Sequence, residues 1–343
     1  MRLICMTDEI IISDLQFAID RELHDCLDEQ LQDYPAEYQS MLHYQLGWVG
    51  GNSGQEAQGK RIRPQLVLLA AHACGADWRK ALPAAAAVEL VHNFSLIHDD
   101  IQDCSQTRRG RETVWVKWGE AQAINAGDAM LTTAQLALFR LQPNLDSGII
   151  NQAVMLLQTA CLKLTRGQYL DIAFEDKNEL PMEHYWQMVE GKTGALLAAC
   201  LGLGSLIGLA NEAQWQGLMD FGSKIGAAFQ VQDDWLGIWG KAEQTGKSTI
   251  SDLVAKKKTY PVLLGIQNQQ AFYHEWRSQV TVTAQEAEKL AILLEKEGVA
   301  QKTCQKFEEL YAEAFEQLES LHLDGARVVP LEQAIRGLFG RIK

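Results

Sequence analysis

Two clusters of carboxylates in this chain have the type and spacing to hold a metal ion. In Ser95-Leu96-Ile97-His98-Asp99-Asp100-Ile101-Gln102-Asp103, Asp99 and Asp103 fall one helical turn apart, and Asp100 lies three residues from Asp103. Such spacing brings side chains together on one helix face. No Lys or Arg stands at 95, 96, 104 or 107 to neutralise them. Two carboxylates ~5 Å apart repel by ~3 kcal/mol at an effective dielectric of ~20, so a helix end carrying three of them favours a cation. Mg2+ suits an oxygen-only set with few protein ligands, because it keeps several waters and accepts substrate phosphates. A lone Asp-Asp pair would read as a solvated helix end. Here the preceding run from Ala84 to Ile97 is almost wholly apolar, which sets the cluster at the mouth of a core helix. The pattern recurs in Phe229-Gln230-Val231-Gln232-Asp233-Asp234-Trp235-Leu236-Gly237. Two such helices facing one another would present a carboxylate-lined mouth for Mg2+ around a diphosphate.

Cations stand in short groups beside small or turn residues. Gly59-Lys60-Arg61-Ile62-Arg63-Pro64 opens a helix, Thr107-Arg108-Arg109-Gly110-Arg111 follows the first acidic cluster, and Gly191-Lys192-Thr193-Gly194 begins an Ala/Leu-rich helix. Ala255-Lys256-Lys257-Lys258-Thr259-Tyr260-Pro261 lies beyond the second cluster, after Thr245-Gly246-Lys247. Each group can offer charge-assisted hydrogen bonds to phosphate oxygens, although singly each is more often a solvated face. Their alternation with the carboxylates fits a site for two anions, one held through metal and one held directly.

The elements that must position these residues read as helices almost throughout, so the chain is expected to be all-α. Periodicity predicts helices over 8–33, 37–49, 64–74, 79–104, 119–141, 147–175, 182–209, 212–240, 250–268, 283–296, 299–322 and 331–341, with interruptions at 50–59, 241–249 and 270–282. No composition shift or fixed-period repeat marks a boundary, which leaves one helical domain over 1–343. The 343 residues carry 31 Lys plus Arg against 44 Asp plus Glu, a formal charge of −13; this excludes the broad basic footprint of a nucleic-acid binder. The seven cysteines are scattered and never form a Cys-x-x-Cys pair, which argues for reduced residues in a cytoplasmic protein. No signal-peptide pattern opens the chain, and no apolar run is long enough for a membrane span. His98 and the tryptophans in helical contexts read as packing or supporting residues.

Taken in order, these motifs resemble the trans-isoprenyl diphosphate synthases, or polyprenyl synthetases, of short-chain type such as farnesyl and geranylgeranyl diphosphate synthases. The resemblance rests on Gly59 to Pro64, on Asp99-Asp100-Ile101-Gln102-Asp103 with Arg108-Arg109-Gly110, and on Gly167-Gln168-Tyr169-Leu170-Asp171. Lys192-Thr193-Gly194, Phe229 to Asp234, and Gly246-Lys247 through Lys257-Lys258-Thr259-Tyr260-Pro261 complete it. It implies a bundle of mostly antiparallel helices around a central cavity, usually a homodimer. It also implies an Mg2+-dependent prenyltransferase that joins isopentenyl diphosphate to an allylic diphosphate, with three Mg2+ per site once diphosphate is bound.

Carried over by motif, Asp99, Asp103 and Asp233 would ligate Mg2+ on the allylic diphosphate, with Asp100 and Asp234 supporting the shell. Arg108, Lys192 and Lys257 would contact that diphosphate. Lys60, Arg63, His92 and Arg109 would hold isopentenyl diphosphate, and Thr193 and Gln230 would lie beside the reacting carbons. Product length in this family is set just upstream of the first aspartates, where Phe94 and Ser95 stand. Phe94 reads equally as the floor of a channel and as core packing. The second acidic motif usually ends in a third Asp, and Gly237 stands there, so one carboxylate is missing. That leaves room for a class I terpene cyclase on the same fold, against which the direct anion site Lys60, Arg63 and Arg109 counts. A non-catalytic partner subunit is the other alternative; it would have no need of both acidic pairs.

Overall fold

Apolar residues at helical spacing become helices along nearly all of the chain for which the computed structural model describes structure, namely residues 12–142, 144–175, 177, 180–240 and 250–339. Among these residues the only sheet is one short hairpin, so the protein is all-α. No described helix is long and apolar enough to cross a membrane. The chain divides into two compact units.

The first unit takes in the described residues through Leu157, with Cys200–Asn211 and Asp324–Leu331. It begins with α1 (Ile12–Leu31), α2 (Ala36–Gln45), α3 (Gln55–Gln58) and α4 (Ile62–Ala73). A 3-10 turn at Trp78–Ala81 leads into α5 (Leu82–Gln102); the strands β1 (Thr107–Arg108) and β2 (Arg111–Glu112), then α6 (Val114–Trp118), α7 (Glu120–Phe139) and the start of α8 (Ser147–Glu175) follow. Helix α5 carries Pro83 in its first turn, where the missing N–H costs nothing. Its residues Ala84, Ala85, Ala86 and Ala87 are wholly buried, and their small side chains let α7 lie close, with Ala123, Ala126, Gly127, Met130 and Ala134 buried on the facing side. Helix α4 is apolar all round, from Leu66 through Ala71, and correspondingly buried.

One charged residue crosses that apolar packing. Arg61, in left-handed conformation (φ 48°), stands at the N-cap of α4. Its Nη1 donates to Glu89 Oε1 on α5 at 2.6 Å, its Nε to Asp20 Oδ1 on α1 at 3.2 Å, and its Nη2 to Leu46 O at 2.9 Å. Asn93 Nδ2 adds a 2.9 Å bond to Glu89 Oε1. Of the cations grouped at 59–64, Arg61 is thus a structural residue.

The second unit comprises Gln158–Ala199, Glu212–Leu323 and the described residues from Glu332. After the remainder of α8 come α9 (Met182–Val189), a π-helical turn at Glu190–Gly194 and α10 (Ala195–Ile207), of which the portion through Ala199 belongs here. Then follow α11 (Glu212–Trp239), α12 (Ser251–Val254), α13 (Tyr260–Asn268), α14 (Ala271–Ser278), α15 (Ala284–Lys296), α16 (Val299–Ser320) and the end of α17 (Gly325–Phe339). Helices α11 and α16 pack along their lengths, with Phe221 edge-on to Phe315 at 5.7 Å. Leu253, Val262, Phe272, Leu290, Leu294 and Val299 close a second core.

Four differences from the sequence reading have physical causes. The helix expected over 182–209 is broken by the π turn, where the backbone crosses α8 so closely that a Cβ on Gly167 would lie 2.1 Å from Lys192 N. The helix expected over 250–268 is split between Val254 and Tyr260; Lys256 is left-handed (φ 52°), and Pro261 restarts the helix in its first turn. The polar stretch 270–282, expected as an interruption, holds α14, because Phe272 and Trp276 fall one turn apart and are both buried. Helix α17 likewise begins before the expected 331, with Asp324 Oδ1 capping Ala326 N and Arg327 N; Pro330 lies inside it. The expected break at 241–249, with Gly246-Lys247, lies outside the described residues.

Removing one member of a buried ion pair leaves the other charge uncompensated, at about 3–5 kcal/mol. Glu89→Ala is expected to lower stability by about that amount, read from a denaturant titration against the wild-type protein.

Candidate active site

In the first unit, consecutive aspartates at the end of α5 point different ways because successive helical residues are about 100° apart. Asp100 is buried and receives Arg108 in bidentate fashion: Nε donates to Oδ1 and Oδ2 at 3.0 and 2.9 Å, and Nη2 to Oδ1 at 2.8 Å. Burial pushes the Asp100 carboxyl up, and Arg108 pulls it back. Asp99 is half-buried and Asp103 exposed, with the Asp103 N–H on Asp99 O at 2.8 Å. Arg108 and Arg109 ride on the hairpin, whose two-residue turn Arg109-Gly110 has both φ angles positive, 52° and 71°. This is the geometry that matches strand twist in tight hairpins.

The cation group lies in the same unit. Arg109 Nη1 donates to Ala57 O and Gln58 O, each at 2.9 Å, which pins its guanidinium to the end of α3. Arg63 on α4 reaches across to α5, its Nη1 3.3 Å from His92 Nε2. Burial, then Arg63, Arg109, Arg108 and Arg61, hold His92 well below the ordinary histidine range. The ring is therefore neutral, and its Nε2 accepts from Arg63. Arg63 Nε is buried with no hydrogen-bond partner among the described residues. Lys60 is exposed, while its carbonyl accepts from Gln65 Nε2 at 2.7 Å. Phe94 is buried and packs edge-on against the His98 ring at 5.0 Å.

In the second unit, the π turn presents Lys192 and Thr193, and α11 presents Gln230, Asp233 and Asp234. Lys192 Nζ bonds Asp171. Thr193 Oγ1 donates to Gln230 Oε1 at 2.8 Å, and Gln230 Nε2 donates to Asp234 Oδ1 at 2.9 Å. Asp234 Oδ2 accepts from Tyr185 Oη at 2.7 Å and from Tyr260 N at 2.8 Å. Burial pushes the Asp234 carboxyl up to about 7 against the pull of these donors. Asp233 is exposed. Of the three consecutive lysines, Lys256 bonds Gln279 O and Lys258 bonds Glu175 O at 3.1 Å, whereas Lys257 is exposed.

Gly237 takes on a different meaning in three dimensions. A Cβ there would lie 2.1 Å from Asp252 Oδ2, so the Asp252 carboxylate occupies the space a side chain at 237 would need. A carboxylate from α12 thus lies beside position 237, where the motif's own third Asp is absent.

A family model for polyprenyl synthetase matches residues 52–295. The chain belongs to the polyprenyl synthetase family. It is 43% identical over 244 residues to a (2E,6E)-farnesyl diphosphate synthase of Mycobacterium tuberculosis, a match covering 71% of this chain and 65% of that protein's own length. With a geranylgeranyl diphosphate synthase of the same organism it shares 40% identity over 265 residues, 76% of this chain and 75% of the other. Among solved structures, a polyprenyl synthetase from Streptomyces coelicolor A3(2) superposes with a TM-score of 0.86 at 31% identity, covering 95% of this chain and 98% of that one. A geranylgeranyl pyrophosphate synthetase from Pyrococcus horikoshii Ot3 gives 0.86 at 29% identity, covering 96% and 97%.

Among the described residues, no three His, Cys, Asp or Glu side chains converge as a preformed metal cage. The chemistry of the residues nonetheless suits Mg2+, since Asp99 and Asp103 in the first unit and Asp233 in the second each carry carboxylate oxygens outside the cores, and Mg2+ is ordinarily held by one or two carboxylates, waters and substrate phosphates. Sequence reasoning gave no role to Tyr185 or Asp252 and quoted Tyr260 only as part of a motif, because the partners of all three lie on other elements.

Gly237→Ala is expected to fold and to displace Asp252. A disturbed outer ligand shell typically weakens metal affinity 10-fold or more, so the Mg2+ concentration for half-maximal turnover is expected to rise by about tenfold, measured by metal titration of the initial rate.

Proposed function

We propose that this protein is an Mg2+-dependent trans-prenyltransferase that condenses isopentenyl diphosphate with an allylic diphosphate to give a short-chain product of the farnesyl or geranylgeranyl class. The observation that carries this reading is the Arg63–His92 pair, where a guanidinium whose buried Nε has no partner among the described residues faces a neutral imidazole beside Arg109. A buried donor without an acceptor is costly, and the phosphate oxygens of a second substrate would complete it. A cyclase acting on one diphosphate has no use for that group. The names of the farnesyl and geranylgeranyl relatives support the same class of product.

The residues divide the work. Lys60, Arg63 and Arg109 hold isopentenyl diphosphate, with His92 orienting Arg63. Asp99, Asp103 and Asp233 hold magnesium, which when bound neutralises charge on the allylic diphosphate. Arg108, Lys192 and Lys257 contact that diphosphate, and Asp100 fixes the Arg108 fork. The allylic C–O bond breaks with its electron pair leaving on the diphosphate, stabilised by these cations. The double bond of isopentenyl diphosphate then attacks the allylic carbon beside Thr193 and Gln230, and a proton passes to the departed diphosphate. Apolar walls keep water from quenching the cation. Phe94 limits the depth available to the growing tail.

The protein acts as a cytoplasmic homodimer in this reading, which the exposed Ile124, Leu136 and Phe139 on α7 support as a contact face.

The deciding experiment incubates purified protein with Mg2+, isopentenyl diphosphate and, separately, allylic diphosphates of increasing length. Longer diphosphates that require isopentenyl diphosphate are expected, and chelation of Mg2+ is expected to abolish them. Hydrocarbons or alcohols formed from an allylic substrate alone would make the protein a cyclase, and tight diphosphate binding without turnover a partner subunit. Asp99→Asn and Asp233→Asn are each expected to lower kcat by about 100-fold, the scale of losing one electrostatic stabiliser, and Phe94→Ala to lengthen the product on chromatography.

A further inference from the structure

Asp234 is the second residue of an acidic pair, yet its carboxylate is fully used inside the protein. Oδ2 takes the Tyr185 hydroxyl at 2.7 Å and the Tyr260 amide at 2.8 Å, and Oδ1 takes Gln230 Nε2 at 2.9 Å. It is 4% exposed, and Tyr185 is wholly buried. Burial, followed by Asp234, lifts the Tyr185 phenol well above its ordinary value, so it stays protonated and donates.

This arrangement settles which way round the Gln230 amide sits. Gln230 Nε2 donates to Asp234 Oδ1 at 2.9 Å, while Oδ2 is held by the Tyr185 hydroxyl and the Tyr260 amide, so the amide nitrogen faces Asp234. The amide oxygen then faces Thr193, whose hydroxyl donates to it at 2.8 Å. With its proton committed to Gln230, Thr193 Oγ1 can turn only lone pairs outward. Those lone pairs and the Gln230 carbonyl are the partial negative charges that would lie beside a developing allylic cation. Were the amide to turn over, its N–H2 would point at Thr193, and the hydroxyl proton would be free to turn outward.

We propose that Tyr185 is a positioning residue for the condensation: through the Asp234 carboxylate it fixes the orientation of the Gln230 amide and, with it, the polarity that Thr193 presents to the reacting carbons. Asp234 accordingly serves this relay and not the metal shell. The assignment deepens the prenyltransferase reading and rests on it for the identity of the reacting carbons. The hydrogen-bond relay itself stands on the geometry alone.

The variant Tyr185→Phe removes one hydroxyl and keeps the ring that fills the core. It is expected to lower kcat by about tenfold, the scale of one buried hydrogen bond to a charged group, with both KM values changed less than about twofold, the mark of an interaction realised in the transition state. The distinguishing measurement is a double-mutant cycle with Gln230→Ala. If Tyr185 acts through Gln230, Tyr185→Phe costs less than about twofold in kcat once Gln230 is gone; additive losses in the cycle would overturn the proposal. Asp234→Asn, of equal shape, is expected to reproduce the kcat loss. A crystal structure of Tyr185→Phe supplies a readout independent of turnover, with the Gln230 amide expected to leave Asp234 or Thr193. Both bonds intact in that variant would overturn the relay. Failure of wild-type protein to elongate any allylic diphosphate would instead remove the prenyltransferase reading, while the variant structure would still decide the relay.

Discussion

The first unit depends on the buried contact between Arg61 and Glu89. An acidic chain places this guanidinium where apolar helices α1, α4 and α5 meet, and satisfies it with Glu89, Asp20 and the Leu46 carbonyl. Such a pair adds little net stability over apolar packing, but it tolerates few alternative arrangements, since any shift leaves a charge uncompensated. Its position fixes the register of α4 against α5. Two residues along α4 from Arg61 is Arg63, and three along α5 from Glu89 is His92, so the contact that sets the register also brings Arg63 to His92 at 3.3 Å. Continuing along α5, Phe94, Asp99 and Asp103 inherit their positions from the same alignment.

The two acidic pairs obey a common rule. In each, one aspartate turns inward and is tied by donors from its own unit, while its neighbour stays closer to solvent. Asp100 takes the Arg108 fork, and Asp234 takes Tyr185, Tyr260 and Gln230. Asp99 is half-buried and Asp233 exposed. The division follows from the ~100° step between helical neighbours: on a helix buried along one side, that step turns one of two consecutive carboxylates toward the core. Adjacent aspartates therefore do different work, one orienting the protein and one meeting the ligand.

Neutral and charged groups are sorted in the same way around the cations. Burial, reinforced by Arg63, Arg109, Arg108 and Arg61, keeps His92 neutral, which makes the imidazole an acceptor within a cationic group and lets it orient a guanidinium without adding repulsion. Among Lys256, Lys257 and Lys258, the outer two are anchored on carbonyls and the middle one is exposed. A run of like charges becomes a single directed cation once its neighbours have backbone partners.

The sequence by itself determined the all-α architecture and the order of the motifs, because helical periodicity and motif spacing are local and survive without knowledge of packing. Helices α1, α5, α7, α8, α11 and α16 stand within a few residues of where apolar spacing places them. It also brought out Asp99, Arg63, Lys192 and Gln230 as chemically active types. Tertiary structure alone decided which side chain in each motif faces a ligand and which faces the core. Arg61 and Arg63 are indistinguishable in Lys60-Arg61-Ile62-Arg63, yet one is a buried tie and the other has a donor left unfilled among the described residues. Tyr185 bonds a residue 49 positions away, and Asp252 fills the space beside Gly237 only because α12 packs there. These are contacts between elements, fixed by the close approach of helices, and no local pattern in the chain encodes them.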